Sequence, residues 1–170
     1  VSQMNCIFLS PHFPPQYHRF CRQLKRAGAN ALGIGDAPYD TLAPRVRESL
    51  SEYYRVERMD DYDQLVRACG YFTHKYGKID RIDSLNEYWL GIEARLRDDF
   101  NVFGVRTADI STIRRKSEMK EKFREAGVPV APGRVVRTLD EARTLIAETG
   151  YPVVAKPDEG VGALDTFRLD

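Results

Sequence analysis

Lys156 and the two glycines behind it, Gly160 and Gly162, are residues whose types and spacing could do chemistry. They lie in Tyr151-Pro-Val-Val-Ala-Lys-Pro-Asp-Glu-Gly-Val-Gly-Ala163, which reads as a short buried strand ending in a lysine, with a glycine-containing loop directly after it. Val153, Val154 and Ala155 suit a strand, and Pro152 is tolerable at its start. The glycines permit positive φ and carry no Cβ, so backbone N–H groups can approach an anion closely. With Lys156 as a fixed cation beside it, such a loop has the chemistry to hold a polyphosphate. The same residues also fit a plainer description, a lysine snorkelling ahead of a hairpin. The stretch is not a G-x-x-x-x-G-K-[ST] loop, because here the lysine precedes the glycines.

Other chemistry-bearing groups are sparser. His18 and Cys21 form an i, i+3 pair with His12 nearby, short of the ~four ligands a structural zinc needs. The three cysteines, Cys6, Cys21 and Cys69, show no C-x-x-C spacing and read as small packed hydrophobes in a reducing, cytoplasmic compartment. A net charge of +1 gives no bulk field to attract nucleic acid or an anionic membrane. No apolar run approaches the ~18 residues of a membrane span, and Val1-Ser-Gln-Met-Asn-Cys6 lacks the pattern of a secretion signal.

The elements that must position Lys156 alternate in type. Met4–Leu9 is an apolar run and a buried strand. Tyr17–Ala27 carries a helical stripe of Phe20, Cys21, Leu24 and Ala27, stopped by Gly28. Ala29–Gly33 reads as a second strand, Pro44–Leu50 as a short helix and Tyr53–Val56 as a third strand. A longer helix starts at Asp61, with Leu65, Val66, Cys69, Phe72 and Tyr76 on one face. Ile79–Leu85 is a fourth strand and Asn86–Phe100 a further helix. Strands alternating with helices imply βαβ units and a mostly parallel sheet. Beyond Phe103-Gly104 the character changes. Thr107–Ala126 reads as one charged helix, in which Arg114-Arg115-Lys116 looks like a solvated face. Val135 and Val136 suggest a brief strand. Thr138 and Glu141 form a capping box for a helix that buries Ala142, Leu145 and Ile146. The Lys156 strand follows, and Thr166–Leu169 begins another.

This order of elements resembles the start of the ATP-grasp superfamily, whose members include biotin carboxylase and the carbamoyl-phosphate synthetase large chain. The residues that carry the resemblance are Lys116 on its helix, Ala126-Gly-Val-Pro129, and Y-P-V-V-A-K-P-x-x-G-V-G-A from Tyr151 to Ala163. The resemblance implies an α/β protein: a Rossmann-like, parallel-sheet pre-ATP-grasp domain over residues 1–104, then the incomplete α+β N-terminal part of an ATP-grasp domain over 105–170. It implies ATP with Mg²⁺ as cofactors. Lys156 would contact the α- and β-phosphates, Lys116 would be the earlier ATP-contacting lysine, and Glu159, Gly160, Val161, Gly162 and Ala163 would form the loop over the phosphates. The implied reaction activates a small carboxylate-bearing substrate as an acyl-phosphate, captured by an amine or similar nucleophile. The Mg²⁺ ligands and catalytic residues are expected outside this chain, so the 170 residues alone are not expected to catalyse ligation. Relatives of this kind are commonly homodimers.

Ser84-Leu-Asn-Glu87 and Ser10-Pro-His12 fall where strands of the first domain end, the edge at which open α/β sheets place ligands. Asn86, Glu87 and His12 are therefore second-tier candidates for substrate contact, with helix capping the plainer role for Asn86. Two alternatives stand beside the ligase. One is a nucleotide- or ligand-binding α/β module without turnover. The other, a dinucleotide-dependent oxidoreductase, is suggested by Gly33-Ile-Gly35-Asp36. It lacks the third glycine, and the first strand runs instead into Ser-Pro-His-Phe-Pro-Pro.

Overall fold

The structure, a computed structural model, describes residues 3–160 and 163–170. It divides into two compact units, Val1–Thr107 and Ala108–Asp170.

In the first unit, β1 (Asn5–Leu9), β2 (Asn30–Gly35), β3 (Glu52–Arg55) and β4 (Arg81–Asp83) form one sheet in the order β3-β2-β1-β4. Every pairing is parallel, with Ile7 opposite both Leu32 and Ile82. The connecting helices are α1 (Tyr17–Arg26), α2 (Pro44–Ser49), α3 (Tyr62–Tyr76) and α4 (Leu90–Asp99), with 3₁₀ turns at Tyr39–Thr41 and Glu87–Trp89. Both faces of the sheet are covered, so β1 is apolar on both sides after its first residue and wholly buried. The period of two sorts it. Ile7 and Leu9 pack with Leu65, Ala68, Cys69, Phe72 and Leu96 on one face; Cys6 and Phe8 pack with Tyr17, Cys21, Val46 and Leu50 on the other. Fully burying each large member is worth about 1.5–3 kcal/mol, and these two layers hold the unit together.

Local signals set the ends of the helices. The Asp61 side chain accepts from the Gln64 N–H at the start of α3, and Gly77 closes it at φ 88°. The expected strand over Ile79–Leu85 shortens to three residues, and the helix expected from Asn86 begins as a 3₁₀ turn before α4.

The glycines at 33 and 35 have a packing role. A Cβ on Gly33 would stand 2.8 Å from Leu50 Cδ1 and 3.0 Å from Pro11 Cγ, and one on Gly35 would stand 2.7 Å from the Tyr53 hydroxyl. They let α2 and β3 close on the sheet.

The second unit consists of α5 (Ser111–Arg114), α6 (Lys116–Glu125), α7 (Leu139–Thr149), β5 (Val153–Ala155) and β6 (Phe167–Leu169), the two strands pairing antiparallel. It corrects four expectations. The charged helix over Thr107–Ala126 is broken, because Arg115 is extended at φ −90°, ψ 116° and the next two N–H groups bond to Asp158. No strand forms at Val135 and Val136, both of which are exposed. The Lys156 strand forms but is not buried: Val154 is 58% exposed and Val153 only half-buried, since a single neighbouring strand leaves its faces uncovered among the described residues. Ala142, Leu145 and Ile146 of α7 are half-buried for the same reason. Thr138 caps α7 as expected, while the reciprocal arm of the box reaches one residue before the N-cap. Thr138 Oγ1 accepts from the Glu141 N–H at 3.2 Å, while the Glu141 carboxylate reaches back to the Arg137 N–H at 2.6 Å.

Candidate functional site

Lys156 stands one residue past β5, at the strand end its sequence suggested but exposed, and makes no ion pair among the described residues. Pro157 and Asp158 turn the chain toward α6. The Lys116 N–H donates to the Asp158 carbonyl at 3.0 Å, and the Ser117 N–H and hydroxyl donate to the two Asp158 carboxylate oxygens, each at 2.8 Å. Asp158 thereby caps α6 from 41 residues away, giving the orphan donors of the first turn an anionic partner. The Lys116 ammonium lies over the same loop, 3.3 Å from the carbonyls of Asp158 and Gly160.

So Lys116, Glu159 and Gly160 come together at the start of α6, with Lys156 at the root of the loop. Gly160 has φ 159° and Ala163 φ 58°, conformations in which backbone N–H groups can turn to one side. Val161 and Gly162, the centre of the expected phosphate loop, lie outside the described residues. Sequence reasoning missed the role of the neighbours. Glu159 Oε1 accepts from Arg115 Nε at 2.8 Å, and its Oε2 lies 3.5 Å from Arg114 Nη2. The hydrogen bond and charge of Glu159 raise the pKa of Arg115. The signal was the three-residue basic run itself, which a single sequence cannot distinguish from a solvated face.

The second-tier candidates all lie in the first unit, at the C-terminal edge of its sheet. The strand order puts the topological switch between β1 and β4, where such sheets form a crevice. His12 follows β1; its Nε2 lies 3.8 Å from Asp36 Oδ1, and its buried Nδ1 has no partner among the described residues. Asn86 Oδ1 accepts from the Tyr88 N–H at 3.0 Å, so it caps the 3₁₀ turn. Glu87 is exposed.

Beneath this edge lies a buried ion-pair cluster that sequence reasoning also missed. Arg97 Nη2 donates to Glu93 Oε2 at 2.9 Å and to Asp83 Oδ1 at 2.8 Å, and the same guanidinium bonds the carbonyls of Ile82 and Val105. The side chains of Arg97 and Glu93 are 7% and 2% exposed. Burial raises the Glu93 carboxyl above the ordinary glutamate range, with the Ser84 hydroxyl and Arg97 pulling it back, and burial likewise raises Asp83 against Arg97. The i, i+4 spacing of Glu93 and Arg97 is legible in the sequence; their burial is not.

Comparison with known proteins bears on both units. Residues 115–166 match the family described as carbamoyl-phosphate synthase L chain, ATP binding domain. An L-arginine-specific L-amino acid ligase of Bacillus subtilis is 31% identical over 95 residues, covering 56% of this chain and 23% of the relative. Biotin carboxylase 1 of Bacillus subtilis (strain 168) is 38% identical over 73 residues, 41% of this chain and 16% of that one. Among solved structures, the L-amino acid ligase from Bacillus licheniformis aligns with 100% of this chain and 40% of its own, at TM-score 0.68 and 16% identity. The biotin carboxylase domain dimer of Hydrogenobacter thermophilus 2-oxoglutarate carboxylase, in complex with MgADP and bicarbonate, aligns over 99% of this chain and 38% of its own, at TM-score 0.74 and 20% identity. The chain thus spans under a quarter of these curated relatives and about two fifths of these solved chains, and at such identities the structures show a shared fold. On the matched ATP-binding segment, the relatives and the shared α/β fold together, this chain is ATP-grasp-like, its resemblance to that superfamily resting most specifically on residues 115–166.

Proposed function

We propose that this chain supplies the nucleotide-binding front part of an ATP-dependent ligase that activates a carboxylate as an acyl-phosphate. The observation that carries the reading is the docking of Lys116, at the head of α6, onto the loop that follows Lys156. Two lysines from separate elements then flank one glycine-containing loop, and paired fixed cations are what a triphosphate needs. In this reading residues 1–104 are the pre-ATP-grasp domain and 105–170 the beginning of the ATP-grasp domain. His12 and Glu87 are substrate-facing groups at the β1/β4 edge, and the assembled enzyme is a cytoplasmic homodimer.

The chemistry assigned to these residues is positioning and charge stabilisation. Lys156 and Lys116 hold the phosphate oxygens while a carboxylate oxygen attacks the γ-phosphorus and the bond to ADP breaks. The amine then attacks the acyl carbon and inorganic phosphate leaves. Magnesium accompanies ATP in such reactions. In this reading the protein ligands of the ion lie outside this chain; among the described residues no group of three or more His, Cys, Asp or Glu could hold a metal ion. The chain by itself binds nucleotide in this reading and does not turn it over.

Calorimetry of the full-length protein with MgATP, alongside Lys156→Ala, tests the proposal. Losing one charge-assisted phosphate contact is expected to weaken binding about tenfold or more. A folded protein that ignores ATP, or binds it equally well without Lys156, would refute the nucleotide site. A protein that binds ATP but releases no ADP with any carboxylate–amine pair would favour a binding module instead.

A further inference from the structure

Arg114, Arg115, Lys116 and Ser117 are consecutive, and all four contact the three-residue stretch Asp158–Gly160. Their partners differ in kind. Lys116 bonds backbone carbonyls, and Ser117 serves the Asp158 carboxylate that caps the helix. The two guanidiniums share a single carboxylate, Glu159, one on each oxygen, at 2.8 Å and 3.5 Å. An anion between two guanidiniums, each reaching it through one nitrogen, is an arrangement the same arginines can offer the oxygens of a phosphoryl group. The carboxylate therefore stands where a phosphoryl group could stand, beside Lys116 and on the loop that follows Lys156.

Electrostatics make that carboxylate replaceable. The side chains of Arg114, Arg115 and Glu159 are 43%, 52% and 41% exposed, so water screens the pair and it is a weak one. A triphosphate brings several negative charges to the same forks and repels Glu159 from the loop it approaches. Arg115 has a second carboxylate, Glu118 Oε1, only at 3.7 Å, and it cannot lose its charge. Displacing Glu159 leaves that guanidinium for an incoming anion.

We infer that Arg115, seconded by Arg114, is a phosphate-contacting residue of the nucleotide site, and that Glu159 is a built-in competitor which holds these guanidiniums until a polyphosphate displaces it. The inference rests on the nucleotide reading and adds to it two binding residues and an internal anion. It makes the affinity of the site a difference between two anions on one pair of arginines.

The test is calorimetry of the full-length protein with MgATP, inorganic tripolyphosphate and adenosine, on the native protein, Glu159→Gln, Arg115→Met, the double variant and Lys156→Ala. Circular dichroism confirms that each is folded. Glu159→Gln is expected to tighten ATP and tripolyphosphate about two- to fivefold, the range a screened surface pair can withhold. Arg115→Met is expected to weaken both about tenfold. In the Arg115→Met background, Glu159→Gln should gain less than twofold, and adenosine should be unaffected throughout. Weaker binding by Glu159→Gln, unchanged binding by Arg115→Met, or a Glu159→Gln gain that survives the loss of Arg115 overturns the inference. If ATP binds and Lys156→Ala weakens it while the Arg115 and Glu159 variants are neutral, the competitor fails and the nucleotide reading stands. If the native protein binds no ATP, both fail.

Discussion

Replacing Arg97 by methionine is the perturbation whose cost can be worked out furthest. The side chain keeps comparable length but loses its charge and five donors. Glu93, 2% exposed, would then keep a buried carboxylate with no cation, and the carbonyls of Ile82 and Val105 would lose their donor. Removing one partner of a buried pair costs about 3–5 kcal/mol, because the orphaned charge stays behind. At an m-value of about 2 kcal/mol/M, the urea midpoint should fall by about 1.5–2.5 M. The single tryptophan, Trp89, packs against the core layer that contains Leu96, so its fluorescence reports on this unit. The pH dependence sharpens the test. Burial raises the Glu93 pKa, so the folded state holds that proton more tightly than the unfolded chain. The stability this lends is complete below the unfolded glutamate pKa and is lost as pH rises through the raised folded value. Taking away Arg97, which pulls the pKa down, moves that loss to higher pH and deepens it at neutrality. The deficit should therefore shrink on acidification toward the carboxylate range, and Glu93→Gln in the same background should recover much of it. A deficit below about 1 kcal/mol at pH 7, or one unchanged between pH 7 and pH 4.5, would refute the reasoning.

Two further outcomes follow from the packing and charge of the first unit. Gly33→Ala places a Cβ 2.8 Å from Leu50 Cδ1 and should lower stability by about 1–3 kcal/mol in the same unfolding assay, whereas Gly70→Ala, whose Cβ meets nothing within 4 Å, should not. Glu52 is partly buried, which alone would raise its pKa, but hydrogen bonds from Lys75, Tyr71 and Tyr76 bring it below the ordinary glutamate range. That stability is present above the unfolded glutamate pKa and disappears as pH falls through the lowered value. The acid limb of the thermal midpoint should flatten in Glu52→Gln.

Much of this architecture is legible along the chain because it depends on neighbours a few residues apart. The β1 run, the helix start at Asp61, the Thr138 cap and the strand–helix alternation of the first unit all act over one or two turns, and the elements they imply are present. The lysine-and-glycine order around Lys156 is legible in the same way, since it is a pattern of residue types.

Contacts between residues distant in sequence decided the rest. The helix expected over Thr107–Ala126 breaks at Arg115 because Asp158, about forty residues on, supplies the partners for the next two N–H groups. Val153-Val-Ala155 has the composition of a core strand, but how much of it is buried depends on what packs over it, and among the described residues little does. Arg97 and Glu93 stand at i, i+4 along the chain, a spacing that says nothing of burial, and they lie inside because β4 and the Val105 segment close around them. Arg114 and Arg115 read as solvated until the fold set Glu159 between them. Propensity and capping are local free energies that a sequence states directly. Burial and the choice of ionic partner are set by which distant segments the fold brings within 3 Å, and only the tertiary structure determines that.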